Sequence, residues 1–223
     1  MRRLLLVRHG ETVWNEIRRL QGATDVPLSE RGRAQSRALG QALRGYRVGA
    51  AYASSLERAQ ETAALALGAA GIPVVPLDEL RELSLGEWEG CTTEEIRNRD
   101  GDPYLAWVRA PVDCAPPGAE PLDAVCGRIV PVVERIAAAH PGNEDVLVVT
   151  HGGIISVYTC HLLGCSFNAL WRLRVDNASL TVVAPPRVVT LNDTRHLEGR
   201  LEPNHLVRGA AVSAASGGQA NPR

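Results

Sequence analysis

The sequence predicts an α/β fold on a largely parallel sheet, and three observations predict it. Short apolar runs alternate along the chain with segments of helical pattern, the signature of strand–helix–strand units. The clearest run, VLVVT at 146–150, passes directly into GGIISVYTCHLLG, a helix with no room for a hairpin. The first run, LLLV at 4–7, breaks off abruptly in Arg8, His9 and Gly10. In open parallel sheets ligands bind beyond the C-terminal strand ends, so polar residues there are expected to serve a site.

Element by element, residues 3–8 read as a strand, and Ser29 caps a helix over 30–44 with Ala34, Leu39 and Leu43 on its apolar side. VGAAYA (48–53) is a second strand. Ser54-Ser55-Leu56-Glu57 matches the capping-box pattern, opening a helix over 56–70. A short strand follows at 73–77, one or two short helices at 92–109, and a proline-rich loop at 111–119. A helix over 121–140 contains Pro131, which can kink it. Strands 179–184 and 187–192, joined by Pro185-Pro186, read as a hairpin or edge pair. Residues 209–223, rich in Gly, Ala and Ser, read as a disordered tail. The domain expectation is one unit over 1–208, with 91–120 as a lid or cap.

Composition bounds the function. The 223 residues carry a net charge of −1, against a general nucleic-acid binder. No run approaches the ~18 apolar residues that span a bilayer, and MRRLLLVRHG turns polar too early for a secretory leader. Five cysteines, an odd number without a CxxC pair, suit reduced thiols and a cytoplasmic protein. All 24 basic residues are arginine. That removes P-loop and Schiff-base lysine chemistry, so phosphate must be held by arginine, histidine, backbone N–H groups or a metal. No HExxH or close His/Asp cluster argues for a metal. Cys160-His161 with Cys165 reads as a helix end packed on the core.

Three polar clusters fall at predicted strand ends: Arg8-His9, Ser54 to Arg58, and Thr150-His151-Gly152-Gly153. Guanidinium forks match pairs of phosphate oxygens. Taken alone, Arg58 is better read as a solvated charge; Arg8 follows a buried strand and is not. His9 and His151 each precede a glycine that permits close ligand approach. A neutral imidazole can attack phosphorus, and a protonated one can donate to developing phosphoryl charge. Neighbouring arginines would keep the nucleophile neutral. A leaving alkoxide needs an acid, and Asp78, Glu79, Glu82, Glu87 and Glu89 are all candidates between which local physics does not choose.

These residues carry a resemblance. RHGET with Asn15 three residues on, GATDVPLSERGRAQ (22–35), SSLERAQETA (54–63), LRELSLGEWEG (80–90), VTHGG (149–153) and NDTRHL (192–197) resemble, in order, the blocks of the histidine phosphatase superfamily, the phosphoglycerate mutase-like proteins. The resemblance covers about residues 3–197. It implies a three-layer α/β/α sandwich with a mainly parallel sheet and His9 as a nucleophile forming phosphohistidine. Arg8, Arg58 and His151 would complete the phosphate pocket, with Gly152 beside His151 and Asn15 adding a contact. Gln21-Gly22 would line the entrance, and Glu82 would act as acid and then base. It implies no metal and no cofactor. Leu83 stands where the mutases carry an arginine, and segment 91–120 holds only Arg97, Arg99 and Arg109. The expectation is therefore a phosphatase of small phosphomonoesters, near the broad-specificity, α-ribazole and fructose-bisphosphatase-like members. A mutase and a non-catalytic binding protein on the same fold are the alternatives. Trp88 is expected in the core, while Tyr104 and Trp107 divide evenly between core and substrate stacking. No nucleic-acid or membrane partner is expected, and the sequence is compatible with a homodimer.

Overall fold

A computed structural model of the chain describes residues 3–197. Six strands form one sheet in the order β3-β2-β4-β1-β5-β6. Strands β1 (Leu4–Arg8), β2 (Val48–Ser54), β3 (Val74–Leu77) and β4 (Asp145–Thr150) run parallel to one another. Strand β5 (Leu180–Ala184) turns antiparallel against β1, and β6 (Arg187–Asp193) pairs antiparallel with β5 as an edge hairpin through a cis Pro185–Pro186 bond. The expected mainly parallel sheet and terminal hairpin are both present; the sheet is mixed only at that end. The tail expected at 209–223 lies outside the described residues.

The strand period of two sorts side chains into two cores. A single short turn of helix, α1 (Val13–Glu16), follows β1; Leu4, Leu6, Val146 and Val148 face α6 (Leu122–Ala139) and α7 (Gly152–Leu163). Leu5, Val7, Leu147 and Val149 face α2 (Glu30–Leu43) and α3 (Glu57–Leu67). Both faces of β1 and β4 are covered, which is why LLLV and VLVV read as continuous apolar runs instead of alternating ones. The result is the three-layer α/β/α sandwich that the resemblance implies.

Two local expectations are corrected. Ser29 caps α2 as predicted, accepting from the Gly32 N–H at 3.1 Å, but Ala34 is exposed. The buried face carries Gly32, Gln35, Ser36, Ala38, Leu39 and Leu43, a polar-rich stripe that packs under the site. The capping box at 54–57 does not form: α3 begins at Glu57, its N-cap is Leu56, and that cap makes no side-chain hydrogen bond. Both serines are engaged elsewhere, Ser54 with His151 and Ser55 with Asp78. Pro131 lies within a continuous α6. Its missing N–H is tolerated in a helix held by Val125, Ile129, Val132, Val133 and Ile136 against the sheet.

In segment 91–120, where one or two short helices are expected, there are two, α4 (Thr93–Arg97) and α5 (Pro103–Arg109). Here α4 carries a capping box between Thr92 and Glu95, and Asp102 with Pro103 starts α5. Trp88, Tyr104 and Trp107 are all buried. Trp107 meets Trp88 edge-on at 5.6 Å and Trp171 at 4.6 Å between ring centroids.

Candidate active site

The C-terminal ends of β1, β4 and β2 deliver the three polar clusters to one cavity of about 600 Å³. Arg8, His9, Asn15, Gln21, Gly22, Arg58, Glu82 and Gly152 line it. His151 lies immediately behind, with its ring centroid 5.2 Å from that of His9. All nine residues named from the sequence thus converge, from positions as far apart as 8 and 152.

His9 follows β1, and its Nδ1 lies 2.7 Å from the Gly10 carbonyl. A carbonyl can only accept, so Nδ1 carries the proton and Nε2 keeps its lone pair. Burial, then the Arg58 and Arg8 charges, holds the ring's pKa well below the usual imidazole range. His9 is therefore neutral, with a fixed tautomer. Its main chain is tied down by the Ala178 N–H and by the Asn177 amide, which also spans the Gly10 carbonyl and Asn15 Oδ1. Asn15 Oδ1 is occupied further by Thr12, so the Asn15 amide nitrogen is the group left to meet a ligand.

Gly10 has a different reason from the one expected. A Cβ there would fall 2.5 Å from the Gly32 carbonyl oxygen and 2.8 Å from Ser36 Oγ. The missing side chain lets α2 approach the strand end; it does not make room for a ligand. The Gly10 N–H donates to Thr62 Oγ1, and Thr62 donates to the Arg58 carbonyl one turn back on α3.

Arg58 is fully buried, which overturns the reading of it as a solvated charge. Its Nη1 donates to Thr24 O at 2.7 Å and Nη2 to Gly22 O at 2.8 Å, while Nε has no partner. Burial lowers its pKa to about 10, still high enough to stay charged at neutral pH. Arg8 donates Nη1 to Val175 O at 2.7 Å, and its Nε too is buried and unpartnered. His151 Nε2 bonds Ser54 Oγ at 2.8 Å, leaving Nδ1 buried without a partner. Its pKa also lies well below normal, through burial and then Arg58. Gln21 is buried at the rim with Oε1 unpartnered. Buried polar atoms are rarely left unsatisfied: the Nε donors of Arg8 and Arg58, beside His151 Nδ1, suit an acceptor-rich anion in the cavity, whereas Gln21 Oε1 is itself an acceptor and suits a donor.

The structure chooses among the five carboxylates. Asp78 and Glu87 are exposed, and Glu79 pairs with Arg135 on the surface. Glu82 alone lines the cavity, its oxygens accepting from the Leu83 and Gly153 N–H groups at 3.0 and 3.1 Å. Desolvation raises its pKa, and those two hydrogen bonds only partly oppose the rise. The segment bearing it is pinned from behind. Arg128 on α6 donates to the Glu79 and Arg81 carbonyls, and Thr150 Oγ1 donates to Leu80 O.

Glu89 has a role that the sequence does not reveal, where it is only one of five candidate acids. Its carboxylate accepts from Ala23 N, Thr24 N, Thr24 Oγ1, Ser84 Oγ and Leu85 N. Burial works against ionisation, but the Thr24 hydroxyl and those N–H groups win, and its pKa is lowered. It joins the loop whose carbonyls grip Arg58 to the loop that carries Glu82. Gly22, at φ +53°, sits against it, and a Cβ there would strike Glu89 Oε1 at 2.3 Å. The sequence signal was Glu89 lying seven residues after Glu82 in the same LRELSLGEWEG block.

Comparison with known proteins identifies the family. The profile of the histidine phosphatase superfamily (branch 1) matches residues 4–192, and the chain belongs to that family. Among curated relatives, phosphoserine phosphatase 1 of Hydrogenobacter thermophilus is 33% identical over 201 residues, covering 88% of this chain and 95% of the relative. A 2,3-bisphosphoglycerate-dependent phosphoglycerate mutase of Gloeobacter violaceus is 37% identical over 156 residues, covering 68% and 71%. Among solved structures, a mycobacterial glucosyl-3-phosphoglycerate phosphatase superposes with a TM-score of 0.81 at 32% identity, covering 87% of this chain and all of that one. No helix among the described residues is long and apolar enough to cross a membrane.

Proposed function

We propose that the protein is a phosphatase that hydrolyses small phosphomonoesters through a phosphohistidine at His9. The observation that carries this reading is the fixed tautomer of His9 among unpartnered phosphate-binding donors. His9 Nε2 attacks phosphorus as the P–O bond to the alcohol breaks. Arg8, Arg58, Asn15 and Gln21 hold the phosphoryl oxygens. His151 donates from Nδ1 with the proton it gains once a phosphate dianion lies beside it. Glu82, whose burial favours the protonated carboxyl, gives its proton to the leaving alkoxide. The resulting carboxylate then takes a proton from water, which attacks phosphohistidine, and inorganic phosphate leaves with His9 restored. Every step uses groups of this chain, so turnover needs no metal. Among the described residues no group of three or more His, Cys, Asp or Glu side chains is arranged to hold one.

A mutase must also grip a bisphosphorylated intermediate and exclude water. The 37% identical mutase relative keeps that reading in view. Against it, Leu83 follows Glu82, and Arg97, Arg99 and Arg109 of segment 91–120 do not line the cavity, whose further arginines, Arg19, Arg172 and Arg174, come from other segments. Segment 91–120, proposed as the wall over the alcohol, supplies Tyr104, Trp107 and Val108 instead. The five cysteines, all free, suit a reducing compartment, so a cytoplasmic enzyme acting on small metabolites is the reading we favour.

The test is turnover of phenyl phosphate in EDTA, with a parallel phosphoglycerate mutase assay. Phosphate release that survives chelation and is abolished in His9→Ala is the expected result. An active His9→Ala enzyme would falsify the mechanism, and mutase activity exceeding hydrolysis would move the chain to the second reading.

A further inference from the structure

We propose that the mouth of the cavity is a subsite for a second anion, built by Arg172 and Arg174. The favoured substrate is then a phosphomonoester whose alcohol half carries a carboxylate or another phosphate on an apolar body. The inference rests on the phosphomonoesterase reading and extends it to the leaving group.

The inner end of the cavity already supplies the donors for one phosphoryl group. Beyond them the cavity continues along Tyr104, Trp107, Val108, Trp171, Leu173 and Val175, a wall that suits a carbon skeleton. Arg172 and Arg174 stand on that wall with exposed side chains, alternating with Trp171, Leu173 and Val175. Among the described residues the Arg172 side chain makes no hydrogen bond or ion pair. Arg174 gives Nε to Asp176 Oδ2 at 2.7 Å, which fixes the guanidinium and leaves both Nη groups for a ligand. The segment is held against the phosphate end, because Arg8 donates to Val175 O. Trp171 adds a third donor: its Nε1 is buried without a partner although its ring packs on Trp107.

Two cations on an otherwise apolar wall, facing one carboxylate partner, leave a net positive rim. Such a rim speeds capture of doubly anionic ligands and gives a planar fork for carboxylate or phosphate. The extra cations that segment 91–120 fails to supply come instead from the stretch before β5. Sequence reading placed no function there, since 171–175 belongs to none of the matched blocks.

Isothermal titration of phenylphosphonate and of its 2-, 3- and 4-carboxylated forms tests the subsite without requiring turnover. The wild type is expected to bind at least one carboxylated isomer about fivefold more tightly than phenylphosphonate, the yield of roughly 1 kcal/mol typical of rim ion pairs. In Arg172→Ala/Arg174→Ala that preference falls to about one. Equal affinities in the wild type overturn the proposal, as does a preference that survives in the double variant or an equal weakening of all ligands. Phenyl phosphate turnover measured on the same wild-type sample judges the phosphatase reading separately: inactivity there with the binding preference intact would remove the enzyme mechanism and leave the anion subsite.

Discussion

The two ends of the same three strands bury charge in opposite ways. At the N-terminal end of β4, Asp145 is 2% exposed, and its carboxylate is filled. Arg3 donates its N, Nε and Nη2 at 3.2, 2.8 and 2.6 Å, and Arg47 donates its N at 3.2 Å. At the C-terminal ends the charged Arg8 and Arg58 are also buried, beside a neutral His151, yet each of the three keeps a polar atom with no partner. Burying a charge is costly in both places. Only the first end recovers that cost within the chain, by knotting the segments before β1, β2 and β4. The second end recovers it when a ligand arrives. Burial of charge therefore does not by itself mark a site; unsatisfied donors clustered at one cavity do.

Substitutions can break this contrast, the largest effect first. Glu82→Gln is expected to lower kcat/KM for phenyl phosphate by ~10²–10⁴-fold, the usual range for general acid–base help. It should leave the unfolding midpoint near that of the wild type. The pH profile sharpens the same point. Productive free enzyme needs His9 neutral and Glu82 protonated, and burial shifts both in the favourable direction. Activity should rise as pH climbs through the lowered His9 pKa and fall as it passes the raised Glu82 pKa. Glu82→Gln should erase the falling limb alone; a profile that keeps it assigns that limb to another group.

Asp145→Ala should act on stability and leave catalysis alone. Removing one partner of a buried pair costs about 3–5 kcal/mol. Arg3, at 39% side-chain exposure, can turn to water, so a loss of about 2–3 kcal/mol by urea denaturation is expected, with kcat/KM unchanged. Burial disfavours the Asp145 carboxylate, but Arg3 and the Arg47 N–H outweigh it and hold the pKa low. Its contribution is thus complete above the ordinary carboxylate range and disappears as pH falls through the depressed folded value. Asp145→Ala should flatten the stability profile there.

Glu89→Gln tests the tie between the two loops and carries the smallest effect. An amide keeps the shape but offers a weaker acceptor, so about a tenfold fall in kcat/KM is expected, roughly 1.4 kcal/mol of lost positioning. Because Glu89 steadies the Gly22 and Thr24 carbonyls around Arg58, the change should appear in affinity for inorganic phosphate. An unchanged phosphate affinity would reduce Glu89 to a turn-former.

Much of this was legible along the chain because it is local. An apolar run that stops at Arg8-His9 declares a strand end, and β4 with His151 repeats the pattern. Ser29 declares a cap. Three features were not legible in the same way. Arg58 read as a surface charge because helix position alone does not reveal that Gly22 and Thr24 wrap its guanidinium. Ser54 read as half of a capping box because its alternative partner, His151, lies 97 residues away. Gly10 read as room for a ligand, although the close neighbour is Gly32 on α2.

The sequence by itself determined the order of elements, the strand ends and the identity of the residues gathered there, since periodicity and capping act over a few residues. The tertiary structure alone decided which carboxylate faces the cavity and which charges stay unsatisfied. Those outcomes depend on how the 78–90 segment is pinned by Arg128, Thr150 and Glu89, contacts made across 47, 70 and 65 residues of chain. No local pattern encodes such partners, because a side chain's environment is set by whatever the rest of the fold brings against it.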